Sequence, residues 1–402
     1  MAKNSVCKQI KMMRKEDIFI RYCARLKVDN ALVRKIENLP LPALDWEYIV
    51  TRAQEQGVAA LLYKCILNNN FSSIVPLKAL EGLKNYYYLL LERNILILKA
   101  WEDGLAVLAK EKIEVLVFKG PALLEQVYND PGLRPMGDID ILVRFQDLAA
   151  AGRVLEGLGY RAALEVGGIS SGWINAQRNS IMYFRDAQNS AFFWHVYWHI
   201  INFLPYSPAI VKKIDMLRIW QEASYGKVNG LRWRGFSLHH HLIYLSLHAF
   251  SHRYEPLILI CDLNELIQSQ KENIDWDVVI EEAKVLGLEK YLYYSLYLLV
   301  SILDTDIPGG VLERLRPERV SVWERKFIRA ILEGRPFFLG EIFASLAMNE
   351  NVRERFAYLH TLLFPRRQEM AIIRQKDCAR VGIGDYLSRI VFSFSYYRKD
   401  AS

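Results

Sequence analysis

The feature that most restricts the fold of this chain is the change of apolar period at Ile113. Up to that point apolar residues recur every three or four positions, as they do along a helix. IEVLVF, residues 113–118, is instead a compact β-branched run of strand character. Lys119-Gly120 then turns the chain, and PALLEQVY opens a helix with Pro121 in its first turn, where a missing N–H has no helical partner to lose. After the Pro/Gly-rich loop NDPGLRPMG a second strand, DIDILVR, begins at once. FQDLAAAGRVLEGLGY supplies the next amphipathic helix, stopped by Gly159, and NSIMYFRD and SAFFWHVYWHI follow as two adjoining strands with a hairpin at Ala187 to Ser190.

The flanks are helical. In DWEYIVTRAQEQGVAALLYKCILNNN an apolar stripe runs through Ile49, Ala53, Val58, Leu61 and Leu62, and the Asn run marks a stop. The periodic segment after Pro76 is long enough for one long helix or two joined ones. Beyond Pro205 helices are expected at 208–225, 237–251, 255–270 and 276–303 and again after 323, with a short hairpin at 226–237. The fold class is therefore α+β. A small mixed-sheet core at 101–205 is embedded between an N-terminal helical region, 1–100, and a C-terminal one, 206–402, that suits substrate or partner binding.

With 402 residues, 52% of them hydrophobic and 24% charged, the chain has ample material for a core and is neither disordered nor a small stapled scaffold. A net charge of +7 suits phosphate-bearing partners, but a balance this modest is more simply a solvated surface. No long basic and aromatic tract points to a template-directed nucleic-acid polymerase. The apolar run YLYYSLYLLVSIL at 291–303 is shorter than the roughly 20 residues that cross a bilayer and reads as a buried helix. The first residues lack a secretory pattern, and the five widely spaced cysteines suggest neither a disulfide framework nor a zinc motif. A cytoplasmic location is the expectation.

Asp138 and Asp140 are one residue apart, so on a strand both carboxylates point to one face. They repel each other unless a cation lies between them. Mg²⁺, with Mn²⁺ as an alternative, favours such oxygen ligands and also binds a triphosphate. An isolated DxD is more often a solvated strand edge. Here Lys119 and Gly120 stand at the end of the preceding strand, where glycine allows close backbone approach and a lysine can meet phosphate. Arg134, four residues before Asp138, is placed to pair with that carboxylate or to bind a nucleotide phosphate.

These residues resemble the family of uncharacterised nucleotidyltransferases related to the polymerase-β-like nucleotidyltransferase superfamily. The likeness rests on VLVFKGPALLEQVY (115–128), DPGLRPMGDIDILV (130–143) and the helix ending in Gly159-Tyr160. It reaches back through LDWEYIV and QGVAALLY and forward to the histidine-containing helix near 240–252. It implies a nucleoside triphosphate donor, with ATP expected, an NMP group passed to an acceptor, and release of pyrophosphate. Asp138 and Asp140 would be metal ligands, Gly120 would line the phosphate turn, and Lys119 would contact phosphate, although the broader superfamily usually carries GS or GG there. On the later strand a pattern like Asp-Leu-His-Trp is expected, and this chain has HVYWHI. His195 takes the acidic position and Tyr197 that of the following histidine, with Trp198 retained. Alternation puts His195, Tyr197 and His199 on one face. His195 can serve as a general base near neutral pH but is a poorer Mg²⁺ ligand than a carboxylate. Glu165 and Asp186 are candidates for a displaced acid.

Histidines 239, 240, 241, 248 and 252 cluster on one segment. His241, His248 and His252 share a broad helix face, with Asp262 on the next helix. No HExxH pattern occurs, so hydrogen-bonded core histidines are the simpler reading. The family resemblance adds that His248, His252 and Asp262 line the acceptor side of the cleft. Three functions follow: a Mg²⁺-dependent transferase acting on a small-molecule, saccharide or peptide acceptor; a catalytically degenerate nucleotide-binding or protein-interaction module; or a helical scaffold in which DID and KG are incidental.

Overall fold

The helices begin where the sequence offers caps. In the computed structural model, which describes residues 13–162, 179–187, 190–201, 208–228, 231–334, 346, 348, 352–364, 367, 370 and 380–388, Asp29 accepts from the Leu32 amide and Asp45 from that of Tyr48. The N-terminal helices are α1 (Lys15–Cys23), α2 (Asn30–Glu37), α3 (Trp46–Glu55), α4 (Ala59–Asn68) and α5 (Leu77–Lys110). α5 is one continuous helix of 34 residues. Ala79, Leu83, Tyr87, Leu90, Asn94, Ile97, Trp101, Leu105 and Leu108 form its buried stripe at helical spacing, with Asn94 the one polar member.

The core follows as β1 (Val115–Val117), α6 (Gly120–Leu123, continued by a wider π turn at Leu124–Tyr128), β2 (Ile139–Val143), α7 (Leu148–Gly157), β3 (Arg161–Ala162), β4 (Ser180–Ala187) and β5 (Ser190–Tyr197). Next come α8 (Pro208–Lys213), α9 (Met216–Gln221) and the hairpin β6 (Ser224–Val228) and β7 (Leu231–Gly235). The C-terminal helices are α10 (Leu238–Ser251), α11 (Ile258–Ser269), α12 (Trp276–Val285), α13 (Glu289–Leu303), α14 (Val311–Leu315), α15 (Val322–Glu333) and α16 (Val352–Leu363). The chain is mostly helical around a small mixed sheet, as an α+β fold should be.

The sheet order is β3-β4-β5-β2-β1-β7-β6. β1 is antiparallel to β2 and parallel to β7, and β2 is parallel to β5. The hairpin read from sequence near 226–237 is thus bonded into the core sheet through Leu116↔Arg234 and Val117↔Gly235, so the sheet draws strands from both sides of residue 205. Burial explains the attachment: the Trp233 indole is 2% exposed and lies over Gly226, whose missing Cβ would stand 2.2 Å from the ring. Two expected helices are each divided. The 276–303 segment breaks at Gly287, whose φ of +68° suits glycine, and 208–225 is α8 and α9 followed by the start of β6.

Each strand of this sheet has two distinct faces. Gly104 of α5 packs on Trp194, and Trp101 meets Trp233 edge-on at 6.0 Å, so α5 covers one face. His195, adjacent to Trp194 and therefore on the opposite face, looks toward α10, where Tyr244 meets Phe118 at 4.9 Å. The N-terminal helices dock through Gln56, whose carbonyl accepts from Ile258 and whose side chain accepts from Leu257. One buried apolar cluster runs from Phe19 to Met348 and joins all these layers. Among the described residues, no helix is long and apolar enough to cross a membrane.

Candidate functional site

Strand register assembles the site. β2 runs beside β1 with Val117 opposite Ile141, which sets Lys119, just past the end of β1, alongside Asp140. On its other edge β2 pairs Asp140 with His195 of β5. The carboxylate oxygens of Asp138 and Asp140 and a ring nitrogen of His195 all lie within 4.8 Å of one another. His195 Nδ1 is 3.8 Å from Asp138 Oδ2 and 3.9 Å from Asp140 Oδ1. Exposure grades from the 36% of the Asp138 side chain to the 2% of Asp140, so Asp138 lies at the mouth and Asp140 at the floor.

Lys119 closes the floor. Its Nζ donates to Asp140 Oδ1 at 2.9 Å and to the Tyr197 hydroxyl at 3.2 Å. An ammonium can only donate, so the Tyr197 oxygen accepts from it and offers its own proton to His195 Nδ1, 2.8 Å away. A neutral imidazole that accepts at Nδ1 carries its proton on Nε2, which faces Ser180 Oγ at 2.8 Å. Burial works against the charge of Lys119, but Asp140, Tyr244, Tyr197 and Asp138 outweigh it and hold the ammonium well above its usual pKa. Asp140 is pushed upward by burial and by Asp138 against the pull of Lys119. Asp138 is also opposed by burial, but the neighbouring His195 and the charge on Lys119 prevail and lower it. One lysine therefore leaves this pair of carboxylates short of positive charge, the condition under which a hard divalent cation fits.

Gly120 lies under the loop that carries the carboxylates: a Cβ there would meet Met136 Sδ at 3.0 Å and the Asp138 carbonyl at 3.6 Å. That loop is tied down residue by residue. Asn94 donates to the carbonyls of Pro131 at 2.5 Å and Arg134 at 2.7 Å, and Asp130 accepts from Tyr87 and from the Gly132 amide. Arg134 pairs with Asp262 of α11 and not with Asp138. Both guanidinium–carboxylate contacts are 2.7 Å, and Tyr128 donates to the same carboxylate at 2.8 Å. Burial opposes the Arg134 charge, and Asp262 more than restores it.

His248 and His252 of the α10 segment stand edge to face at 4.7 Å, with Tyr244 stacked on His248. Burial and then the charge on Lys119 hold both imidazoles below their usual pKa, which places them in the electrostatic reach of the floor. His241 is buried nearby, yet among the described residues His241, His248 and His252 do not gather into a metal-ligand group. The second group that does gather consists of Glu222, His239 and His240.

Three further expectations resolve differently. β5 ends at Tyr197, so His199 leaves the shared face and its Nδ1 accepts from the Ile201 amide instead. Asp186 sits opposite Ala191, four positions along β4 from Met182, the partner of His195. That is roughly 13 Å of strand, which keeps it away from the carboxylate pair. Glu165 lies outside the described residues. Sequence reading missed Ser180, Tyr128, Asn94 and Tyr244; only Tyr244 carried a signal, its i, i+4 spacing to His248 on one helix face.

A family model described as uncharacterised nucleotidyltransferase matches residues 42–304, well over half of the chain. The chain belongs to this family of uncharacterised nucleotidyltransferases. The matched segment of this nucleotidyltransferase family member begins just before α3 and ends just after α13, and so contains the whole sheet, Lys119, both aspartates and His195. Membership supports a nucleotidyltransferase-type activity in general terms. No curated protein and no solved structure matches the chain.

Proposed function

We propose that this protein is a Mg²⁺-dependent nucleotidyltransferase that moves an NMP group from an NTP, with ATP as the expected donor, to a small-molecule, saccharide or peptide acceptor. The observation that carries the reading is the convergence of Asp138, Asp140 and His195 beside Lys119 and the Gly120 turn. Asp138 and Asp140 would hold the ion, with Mn²⁺ as a substitute. Such an ion, when bound, neutralises triphosphate oxygens and polarises the phosphorus under attack.

The chain's own residues do the rest. Lys119 holds Asp140 in place and supplies a fixed positive charge beside the phosphates, and Gly120, packed against Met136 where a side chain would not fit, lets the turn lie close under the 136–138 loop. Arg134 holds the loop through Asp262, so its part in nucleotide binding is mainly to position the Asp138 segment. An acceptor oxygen bonds to the α-phosphorus, the bond to the pyrophosphate oxygen breaks, and the acceptor proton goes to Asp138, which borders the open side, or to His195 once the Tyr197 hydroxyl releases its Nδ1. His248, His252 and the α10–α11 helices form the acceptor wall.

A binding-only reading draws on a different observation. Lys119 already occupies Asp140 Oδ1, and a histidine replaces the third carboxylate, so the site can hold nucleotide without efficient transfer. Purified protein with mixed NTPs, Mg²⁺ or Mn²⁺ and a pool of cell-extract acceptors separates the two. Transfer and pyrophosphate release that disappear in Asp138→Asn/Asp140→Asn are the expected outcome. Nucleotide binding that depends on both aspartates without any transfer would favour the binding module, and neither would leave the family fold alone.

A further inference from the structure

The start of α10 carries chemistry that nucleotide transfer does not use. Glu222, the residue after α9, His239 and His240 each bring one ligand atom within 4.8 Å of the others. Glu222 Oε2 is 2.9 Å from His239 Nε2 and 3.9 Å from His240 Nδ1. The other oxygen of Glu222 accepts from Arg218 Nε at 2.8 Å, so the carboxylate divides its work and leaves Oε2 to the histidines. Glu282 of α12, almost fully buried, faces His240 Nε2 at 3.2 Å. A carboxylate accepts, so that nitrogen bears the proton and Nδ1 keeps a lone pair; by the same rule His239 Nε2 donates to Glu222 and would give up its proton to an incoming cation. A buried carboxylate behind a histidine, fixing its tautomer and raising its basicity, is the arrangement that supports metal-ligating imidazoles.

Ser237 gives a second, independent indication. It occupies the N-cap of α10, where a serine normally bonds an amide of the first turn, yet it caps nothing. Its hydroxyl lies instead 3.2 Å from His239 Nε2 and 2.8 Å from His240 Nδ1. The helix thus forgoes a cap worth about 1 kcal/mol to put a fourth donor into the cluster. Glu222 and Glu282 set against Arg218 leave the cluster one carboxylate in excess.

We infer that Glu222, His239 and His240, with Ser237 Oγ or water as a fourth donor, form a second metal site that takes a transition-metal dication of the Zn²⁺ class. Two imidazoles and one carboxylate match that class and not Mg²⁺, which prefers oxygen alone. The site shares no residue with the carboxylate pair: Asp138, Asp140 and His195 form one group, and Glu222, His239 and His240 another. It ties α9 to α10 next to the hairpin that completes the sheet, and so acts as a staple between the sheet edge and the acceptor-side helices.

The test uses metal-stripped full-length protein with Mg²⁺ in large excess to fill the oxygen-rich site, and Co²⁺ as a spectroscopic probe. One equivalent of Co²⁺ should bind with the visible absorption of a four-coordinate nitrogen and oxygen site, be displaced by Zn²⁺, and raise the unfolding temperature. His239→Ala, at a half-buried position, should fold with unchanged circular dichroism, weaken Co²⁺ binding by at least ~10-fold and abolish the thermal shift. Glu222→Gln provides a second variant with the same expectation. Absence of Co²⁺ absorption in the wild-type protein, or equal affinity in both variants, would overturn the site.

Discussion

The Arg134–Asp262 pair shows how position alone decides what an ion pair contributes. Both side chains are nearly buried, the fork is bidentate, and Tyr128 donates to the same oxygen, Oδ1, that accepts from Arg134 Nε. Lys99 and Asp103, one turn apart on the surface of α5, make a contact of similar length in water. Removing one member of the first pair strands a buried charge, a loss of ~3–5 kcal/mol, whereas exposed pairs contribute little. Asp262→Ala should therefore lower the urea midpoint strongly, and Asp103→Ala should leave it in place. Equal midpoints would mean that Arg134 finds water or another partner once Asp262 is gone. The sequence made Arg134, Asp138 and Asp140 visible by local spacing. It did not reveal that Arg134 belongs to Asp262, 128 positions away, because nothing in the neighbourhood of either residue encodes the meeting.

Among the elements, β1, α6 and β2 were legible because their period, turn residues and proline all act within a few positions. The split of 276–303 was hidden because one glycine in an otherwise helical pattern carries too little local signal, and the hairpin's place beside β1 was hidden because strand pairing is a contact between distant segments. Helix–sheet packing is likewise invisible until the faces are assigned. Gly104 sits on α5 where a Cβ would come 2.4 Å from the fully buried Trp194 ring, while Gly157, at the exposed end of α7, has nothing within 4 Å. In a free helix glycine to alanine gains up to about 1 kcal/mol. At Gly157 that gain should appear as a small rise in unfolding temperature. At Gly104 overpacking of about 1–3 kcal/mol exceeds it and the sign reverses. Because Trp194 adjoins His195, the Gly104→Ala protein should also lose nucleotide affinity if the β5 strand shifts with its tryptophan. Two variants of equal stability would show that the α5–sheet contact is looser than its geometry.

For the molecule as a whole, the buried histidines link stability to pH. Burial first, then the charge of Lys119, holds His248 well below its usual value of 6.5, and burial lowers His199 as well. Below that usual value the unfolded chain takes up protons that the fold refuses, so it binds more protons than the native state and stability falls as pH falls. The contribution of these groups is therefore complete above about pH 6.5, the unfolded value, and is lost progressively in more acid solution. Glu265 acts in the opposite sense: burial raises its carboxyl, so the fold retains a proton the unfolded chain has released, and this adds stability as pH falls through its raised value. With His199, His240, His241, His248 and His252 held down against the raised carboxyls of Glu265, Asp140 and Glu125, the midpoint of urea unfolding should be lower at pH 5 than at pH 7. His248→Phe, which keeps a ring stacked on Tyr244 but removes the titrating group, should flatten that slope whatever it does to the midpoint at pH 7. An unchanged slope would mean that His248 is hydrated in solution and that the cleft between α10 and the sheet opens to water far more than its packing implies.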